Sequence, residues 1–138
     1  MSSKNFYTGK KILITGGLGF IGSTLAIRLI ELGAQVTLLD GLIPDLGANR
    51  FNIEPIKSQV EVVEANLGDR SLVDDQVKAK DLVFNIGMHS CHLASMSNPL
   101  FDLETNVLPQ INFLESLRVN NPQTRVIYIG TGPSSGRP

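Results

Sequence analysis

The sequence predicts an α/β fold with helices on both faces of a five-stranded parallel sheet. Short, uninterrupted apolar runs alternate along the chain with longer amphipathic segments. This pattern is typical of strands buried on both faces and of the helices that cover them. Right-handed crossovers between such segments give a three-layer αβα architecture with strand order 3-2-1-4-5. The 138 residues contain no repeat or linker, so we expect residues 1–138 to form a single domain.

Each element has its own local signal. The strands are predicted at residues 12–14, 36–39, 60–63, 82–86 and 125–129. In the first helix Ile21, Leu25 and Leu29 recur at helical spacing, and Gly33 offers a C-terminal stop. Asp69 can cap a short helix over residues 72–77.

The longest helix is predicted from Pro99 to Asn120, with Asn98 as its N-cap. Pro109 removes one backbone donor from this helix and should kink it, at a cost of about 3 kcal/mol unless packing compensates. Apolar spacing predicts the buried face, which comprises Leu100, Leu103, Val107, Ile111, Leu114 and Leu117.

A glycine-rich segment, residues 16–22, separates strand one from the first helix. It fits two registers, Gly17-x-Gly19-x-x-Gly22 and Gly16-x-x-Gly19-x-x-Gly22. Residues without Cβ let the chain turn sharply and let phosphate oxygens approach backbone N–H groups, while the helix that begins near Phe20 directs its free amides at that charge. This context predicts a Rossmann fold that binds a dinucleotide through its diphosphate.

Asp40 ends strand two, eighteen positions after Gly22. A carboxylate there can accept hydrogen bonds from both ribose hydroxyls and would repel a 2′-phosphate, which favours NAD over NADP. Arg50, a cation in the following loop, favours NADP instead. The pattern alone also leaves FAD and S-adenosylmethionine open.

Composition excludes several other classes of function. The formal net charge of −1 provides no basic excess to neutralise a nucleic-acid backbone. The N-terminal residues lack an apolar signal region, no apolar run reaches membrane-spanning length, and the single cysteine, Cys91, suits a reducing compartment. We therefore expect a soluble, cytoplasmic protein without nucleic-acid or membrane partners.

Cys91 lies between His89 and His92, a spacing with two possible chemical interpretations. Structural zinc requires about four ligands and no second cluster supplies the rest, so no metal site is expected. A nucleophilic Cys91 would need one of the histidines as its base and an electropositive pocket. We expect these residues to be polar loop residues beneath the cleft.

Three groups of residues carry a family resemblance. Residues 15–22 form the dinucleotide turn, and residues 126–128 with 136–138 form the fifth strand and the loop behind it. The long helix contributes Ser97, Asn98, Pro99, Asp102, residues 105–107, Asn112, Leu114 and Glu115. From Lys11 to Pro138 the chain resembles the extended short-chain dehydrogenase/reductase family, the NAD-dependent nucleotide-sugar epimerases and dehydratases.

The resemblance implies NAD as the cofactor and a set of residues along it. It places Gly16, Gly19, Phe20 and Ile21 at the pyrophosphate, and Asp40 and Gly41 at the adenosine ribose. Asn66 and Leu67 would lie around adenine, Ile86, Gly87 and Met88 beneath the cofactor, and Asn106 near the nicotinamide half. Gly22, the last glycine of the cofactor-binding turn, is expected to allow close packing of the helix against the strand. Thr131 falls at the family's catalytic Ser/Thr. At Asn66 the family has an Asp, and Gly87 and Met88 stand where it has Ala-Gly or Ala-Ala; Ser135 replaces an aromatic.

The family's Tyr-x-x-x-Lys pair normally lies downstream of these motifs, and the only such spacing here, Tyr7 to Lys11, is expected at the far edge of the sheet. We therefore expect a truncated, NAD-binding Rossmann domain without turnover on its own. Two alternatives stay open: an enzyme completed by a C-terminal half or by oligomerisation, and a ligand-free structural or regulatory protein. Self-association is expected through the unpaired strand-five edge or the Pro99 to Asn120 helix.

Overall fold

A five-stranded parallel sheet forms the centre of the computed structural model, which describes residues 6–44, 47–89 and 96–130. The strands are β1 (Lys11–Thr15), β2 (Gln35–Asp40), β3 (Glu61–Glu64), β4 (Leu82–Asn85) and β5 (Arg125–Tyr128). They lie in the order β3-β2-β1-β4-β5, and every pairing is parallel; Ile14, for example, lies between Leu38 and Phe84. The predicted sheet and strand order are confirmed.

Helices cover both faces of this sheet. On one face lie α1 (Phe20–Glu31) and a 3₁₀ helix (Arg50–Ile56) that the sequence did not predict. On the other face lie α2 (Arg70–Val77) and the long helix, which consists of α3 (Pro99–Asp102), a π turn (Leu103–Val107) and α4 (Leu108–Asn120). In the described part of the chain, none of these helices combines the length and the apolar character needed to cross a membrane.

Two separate cores explain why the strands lack polar alternation. Ile12 and Ile14 of β1 face the core beneath α1, whereas Leu13 between them faces the opposite core, and all three are fully buried. Successive side chains of a strand point to opposite faces, so a strand covered on both sides has to be apolar at every position. The three-layer prediction is confirmed by this arrangement.

The predicted helix boundaries are set by side-chain caps and a glycine. The Asp69 carboxylate accepts the Leu72 N–H at 3.3 Å at the start of α2. The Asn98 side chain accepts the Phe101 N–H at 3.2 Å, directly before Pro99. Gly33 has a φ of +85°, a left-handed conformation that favours glycine and stops α1.

The predicted buried face of the long helix is wrong except at Leu117. The side chains predicted to be buried are instead exposed at Leu100, Leu103, Val107, Ile111 and Leu114. The buried side chains of α4 are Pro109, Phe113, Ser116 and Leu117. The helix carries two apolar stripes, and periodicity alone does not determine which stripe meets the sheet.

Pro109 and the π turn explain part of this difference. Because proline has no N–H, the usual hydrogen bond to the carbonyl four residues earlier is absent. The π turn, Leu103–Val107, lies directly before Leu108 and Pro109 and adds residues to one helical turn. Such an insertion rotates the following face relative to the preceding one, so the stripe predicted for a regular helix does not continue through it.

A polar cluster fixes the orientation of α4 against α2. One oxygen of Asp74 accepts hydrogen bonds from the Ser116 hydroxyl at 2.5 Å, from Arg70 Nε at 2.8 Å and from Asn120 Nδ2 at 2.9 Å. The hydrogen bond from Ser116, together with Arg70, lowers the pKa of the Asp74 carboxyl below its ordinary value. Ser116, although polar, is consequently fully buried.

Shortening one side chain on the buried stripe of α4 and one on its exposed stripe should have different effects on stability. Phe113 is 0% exposed and Ile111 is 59% exposed. We expect Phe113→Ala to lower the free energy of unfolding by about 3–5 kcal/mol, because it leaves a cavity in the core. Ile111→Ala should lower it by less than about 1 kcal/mol. Urea unfolding in dilute solution measures both, and a larger loss for Ile111→Ala would contradict the observed packing.

Candidate functional site

A cavity of about 440 Å³ opens at the carboxyl ends of the central strands. Ligand sites in open parallel sheets lie at this edge, where the strand order reverses. All of the predicted cofactor-binding residues except Asn106 line the cavity: Gly16, Gly19, Phe20, Ile21, Gly22, Asp40, Gly41, Asn66, Leu67, Ile86, Gly87 and Met88. The structure thus brings together residues that lie as much as 72 positions apart in the chain.

The glycine turn is packed so closely that a Cβ on three of its four glycines, Gly16, Gly17 and Gly22, would lie less than 3.0 Å from a neighbouring atom. Gly16 has a φ of +66°, and a Cβ there would lie 2.8 Å from Gly87 Cα. A Cβ on Gly22 would lie 2.2 Å from the Gly16 carbonyl oxygen. A Cβ on Gly19 would meet only that oxygen, at 3.4 Å. Gly16 and Gly22 therefore serve the packing of the turn, whereas Gly19 leaves its side open toward the cavity.

The N-terminus of α1 has no side-chain cap. The Ser23 N–H donates to the Gly19 carbonyl at 3.0 Å and makes the first intrahelical hydrogen bond. The N–H groups of Phe20, Ile21 and Gly22 precede that bond and have no partner within the helix. Because these residues line the cavity, their amides and the positive end of the helix dipole favour an anion there.

Asp40 connects the glycine turn to the end of β2. Its carboxylate, 8% exposed, accepts the Leu18 N–H at 2.9 Å through Oδ2 and the Leu42 N–H at 3.0 Å through Oδ1. A carboxylate offers about four acceptor positions, so two of them are left for hydroxyl groups of a ligand. Sequence reasoning predicted only the ligand role of Asp40 and missed its role in holding the turn.

The other side of the turn is held by a loop that the sequence analysis did not single out. The Leu18 carbonyl accepts the Asn49 N–H at 3.1 Å and Asn52 Nδ2 at 2.8 Å. Asn49 is also the N-cap of the 3₁₀ helix, where its side chain accepts the Phe51 N–H at 2.8 Å. This second anchor fixes the position of α1, but no spacing in the sequence indicates it.

A buried polar network holds the loop after β4 beneath the cavity. The Thr15 hydroxyl donates to Asn85 Oδ1 at 2.8 Å and accepts the N–H groups of Ile86 and Gly87, each at 3.0 Å. Asn85 Nδ2 donates to Gln110 Oε1 at 2.6 Å, and Gln110 Nε2 donates to the Gly87 carbonyl at 2.8 Å. These residues place Gly87 against Gly16, which is the close contact described above.

Asn106 lies outside the cavity lining and holds the same loop farther along. Its Oδ1 accepts the His89 N–H at 2.7 Å, and its Nδ2 donates to the His89 carbonyl at 2.8 Å and to Asp102 at 2.7 Å. His89 does line the cavity; its ring meets Phe101 edge-on at 5.7 Å, and its Nδ1 is buried without a hydrogen-bond partner. Asn106 is therefore a positioning residue for this loop.

Asn66 and Leu67 follow β3 at the end of the cavity farthest from β4. Asn66 Oδ1 accepts the Gly68 N–H at 2.8 Å. Leu67 is buried, and its carbonyl accepts Asn112 Nδ2 at 2.5 Å. Arg50, the residue that argued for NADP, forms an ion pair with Glu64 at the end of β3.

Several residues singled out from the sequence lie either outside the described residues or away from the cavity. Thr131, Cys91, His92 and Ser135 lie outside the described residues. Lys11 is the first residue of β1, so the Tyr7 to Lys11 spacing lies at the opposite edge of the sheet from the cavity. Within residues 6–44, 47–89 and 96–130, no three His, Cys, Asp or Glu side chains come together in a way that could hold a metal ion.

Comparison with known proteins identifies a family model that matches most of the chain. The model of the NAD dependent epimerase/dehydratase family matches residues 12–138. A putative UDP-glucose 4-epimerase of Methanocaldococcus jannaschii is 35% identical over 131 residues, which cover 92% of this chain and 40% of that protein. A CDP-paratose 2-epimerase of Salmonella typhi is 28% identical, over 91% of this chain and 38% of its own length.

Solved structures give the same result. The epimerase Mth375 of Methanothermobacter thermautotrophicus aligns with a TM-score of 0.83 and 30% identity, over 96% of this chain and 38% of its own. The Bordetella bronchiseptica enzyme WbmF, solved in complex with NAD⁺, aligns with a TM-score of 0.78 and 31% identity. The alignment covers 89% of this chain and 36% of WbmF. The chain thus spans about two fifths of the length of the proteins it matches.

The packing of the glycine turn predicts a contrast between two alanine substitutions. Gly22→Ala should lower the free energy of unfolding by about 1–3 kcal/mol or more, because its Cβ would overlap the Gly16 carbonyl. Gly19→Ala, with space for its Cβ and an extended backbone, should cost no more than about 1 kcal/mol. Urea unfolding compares the two, and equal losses would contradict the assigned roles.

Proposed function

Since the chain belongs to the NAD dependent epimerase/dehydratase family, we propose that its cavity binds NAD and that residues 1–138 form the cofactor-binding part of a nucleotide-sugar epimerase or dehydratase. The single observation that carries this proposal is the uncapped N-terminus of α1, which faces the cavity through Phe20, Ile21 and Gly22. A diphosphate satisfies such amides and the helix dipole together. The NAD⁺ complex of WbmF, a structural neighbour, supports the choice of ligand.

The residues present fit the parts of this cofactor. The open side of Gly19 gives a diphosphate access to the amides of α1, and Asp40 retains acceptor positions for the adenosine ribose beside Gly41. Asn66 and Leu67 lie where the base would follow. The loop with Ile86, Gly87 and Met88 closes the cavity from the other side.

Asp40 also favours NAD over NADP. Its carboxylate is nearly buried and receives two backbone N–H groups, so a 2′-phosphate beside it would place two anions in contact. Arg50 is the nearby cation considered for that phosphate, and its guanidinium is already paired with Glu64. The proposed ligand is therefore the unphosphorylated dinucleotide.

NAD, when bound, supplies the hydride acceptor for oxidation of a sugar hydroxyl. The chain's own residues hold and orient it: the α1 amides bind the phosphates, Asp40 accepts the ribose hydroxyls, and Thr131 is proposed to orient the substrate hydroxyl. The two tyrosines are Tyr7, at the opposite edge of the sheet, and Tyr128, which has glycine four positions later. We therefore propose that these 138 residues bind NAD without turnover on their own.

We also propose a cytoplasmic location, because a single cysteine suits a reducing compartment.

Calorimetric titration with NAD tests the glycine turn. We expect the wild-type chain to bind NAD and Gly19→Leu to bind it at least about tenfold more weakly, because the side chain would occupy the approach to the α1 amides. The backbone of Gly19 is extended, with a φ of −73°, so the substitution is compatible with the fold. Ile111→Ala, outside the cavity lining, is the matched control and should keep wild-type affinity.

Equal affinity in Gly19→Leu would overturn the glycine-turn account. A bound ligand at a hundred times its Kd should stabilise the fold by about 2.7 kcal/mol. If millimolar NAD produced no thermal shift in the wild-type chain, the ligand-free alternative would be the better one.

A second copy of the chain is the partner we propose for two exposed apolar surfaces. Within the described sheet, β5 pairs with β4 alone, and Val126, Ile127 and Tyr128 are exposed. The long helix exposes a stripe that includes Leu100, Leu108, Ile111 and Leu114. Unpaired strand edges and contiguous apolar patches both promote association.

Analytical ultracentrifugation tests this self-association. We expect a dimer or larger species at high, crystallisation-like protein concentrations. Ile111→Lys should weaken the association if the helix stripe forms the contact, and Ile127→Lys should weaken it if the β5 edge does. Both side chains are exposed in the single chain, so neither lysine should disturb the core. A monomer throughout the concentration range would contradict the proposal.

A further inference from the structure

A second cavity, of about 450 Å³, opens at the amino ends of the strands. We propose that it is a modification site, in which the amine of Lys80 is acylated by small acyl phosphates. The cavity shares no lining residue with the one at the carboxyl ends of the strands, so this inference is independent of NAD binding. Its lining comprises Lys11, residues 34–37, Gln59, Glu61 and residues 78–80.

Two hydrogen bonds in series hold the Lys80 side chain in this cavity. Lys80 Nζ donates to the Thr37 hydroxyl at 2.8 Å, and that hydroxyl donates to Glu61 Oε2 at 3.1 Å. Thr37 is 6% exposed and lines the cavity from β2, so it fixes the position of the amine. An uncharged amine that keeps one N–H on Thr37 has its lone pair free to attack an electrophile.

A strained turn brings Lys80 to the cavity. Ala79 has a φ of +54°, a left-handed conformation that residues with a side chain rarely adopt. Asn121 Nδ2, directly after α4, donates to the carbonyls of Val77 and Lys80, each at 2.9 Å, and so fastens both ends of the turn. Because the turn is held in this shape, Lys78 and Lys80 line the same cavity from either side of Ala79.

The surroundings of Lys80 favour the uncharged form of its amine. Burial lowers the pKa of Lys80 below its ordinary value, and the positive charge of Lys11 acts in the same direction, whereas the negative charge of Glu61 opposes both. In the same cavity, the hydrogen bond from Lys78 to Asp75 raises the pKa of Lys78. At neutral pH a larger fraction of Lys80 than of Lys78 is therefore uncharged, and the uncharged amine is the nucleophile.

The charges around the amine suit a phosphate group. Lys11 and Lys78 line the cavity, and Glu61 is the acid in its lining, with its carboxylate accepting the Thr37 hydroxyl. The exposed ion pair of Lys78 with Asp75 occupies one of the three N–H donors of that lysine, so the others are left for an anion. Two ammonium groups against one carboxylate favour a dianion beside the amine. An acyl phosphate is such a dianion, and it carries a reactive carbonyl.

The acyl transfer balances without a further reactant. The lone pair of the Lys80 amine attacks the acyl carbon, a C–N bond forms, and the C–O bond to the phosphate breaks. The phosphate leaves with the electron pair of that bond and takes the proton that the nitrogen loses, so the products are a neutral amide and hydrogen phosphate. The amide N–H can still donate to Thr37, so the hydrogen bond that holds the side chain survives the modification.

Treatment with acetyl phosphate, followed by peptide mass spectrometry, tests the inference. In the folded wild-type chain we expect Lys80 to be acetylated at least about fivefold faster than Lys78 and Lys57, because its uncharged fraction is larger. Lys57 is an exposed lysine outside this cavity, paired with Glu54. In denaturing urea the preference should disappear, since all three lysines then meet the same solvent.

Lys11→Gln removes the neighbouring charge without disturbing the core, because Lys11 is exposed at the start of β1. It should slow the acetylation of Lys80 at least about threefold, because the pKa of the amine rises and the phosphate loses a partner. Lys57→Gln is the matched control and should leave the Lys80 rate unchanged. A Lys80 rate no higher than that of Lys78 or Lys57, a preference that persists in urea, or an unchanged Lys80 rate in Lys11→Gln would overturn the inference.

Discussion

The close contact of glycine backbones at the end of β1 is the constraint on which the remaining structure of the site depends. Gly16 approaches Gly87 from one side, and Gly22 approaches the Gly16 carbonyl from the other, which brings the start of α1 directly over the carboxyl ends of the central strands. Because Gly19 leaves α1 uncapped, the helix ends in unsatisfied amides at the mouth of the cavity. The packing that requires glycine and the chemistry that attracts an anion therefore arise from the same few residues.

Hydrogen bonds from three directions hold this turn in place. Asp40 receives the Leu18 N–H, Asn52 donates to the Leu18 carbonyl, and Thr15 holds the backbone of Gly87 opposite Gly16. Buried polar groups of this kind are stable only when their partners are in place, so the turn is defined before any ligand arrives. A ligand would thus gain affinity by not having to order the cradle.

Patterns within a few neighbouring residues predicted the fold and most of the residues that line the cavity. Contacts between distant parts of the chain were not predicted. Apolar runs, caps at Asp69 and Asn98 and the glycine turn are encoded within a few neighbouring residues, and the structure confirms the elements they predict. The face of the long helix was predicted wrongly, because two apolar stripes compete and the choice depends on Asp74 in another helix. The hydrogen bonds of Asn106 to the His89 backbone were not predicted, because only the folded chain brings those two segments together.

The central claim, that the first amides of α1 bind a diphosphate, is tested most directly by NMR on the ¹⁵N-labelled chain titrated with NAD. We expect the backbone N–H resonances of Phe20, Ile21 and Gly22 to shift most strongly, since these amides precede the first hydrogen bond of the helix. Amides at the opposite edge of the sheet, such as that of Lys11, should not move. Saturation with NAD that left the three α1 resonances in place would contradict it.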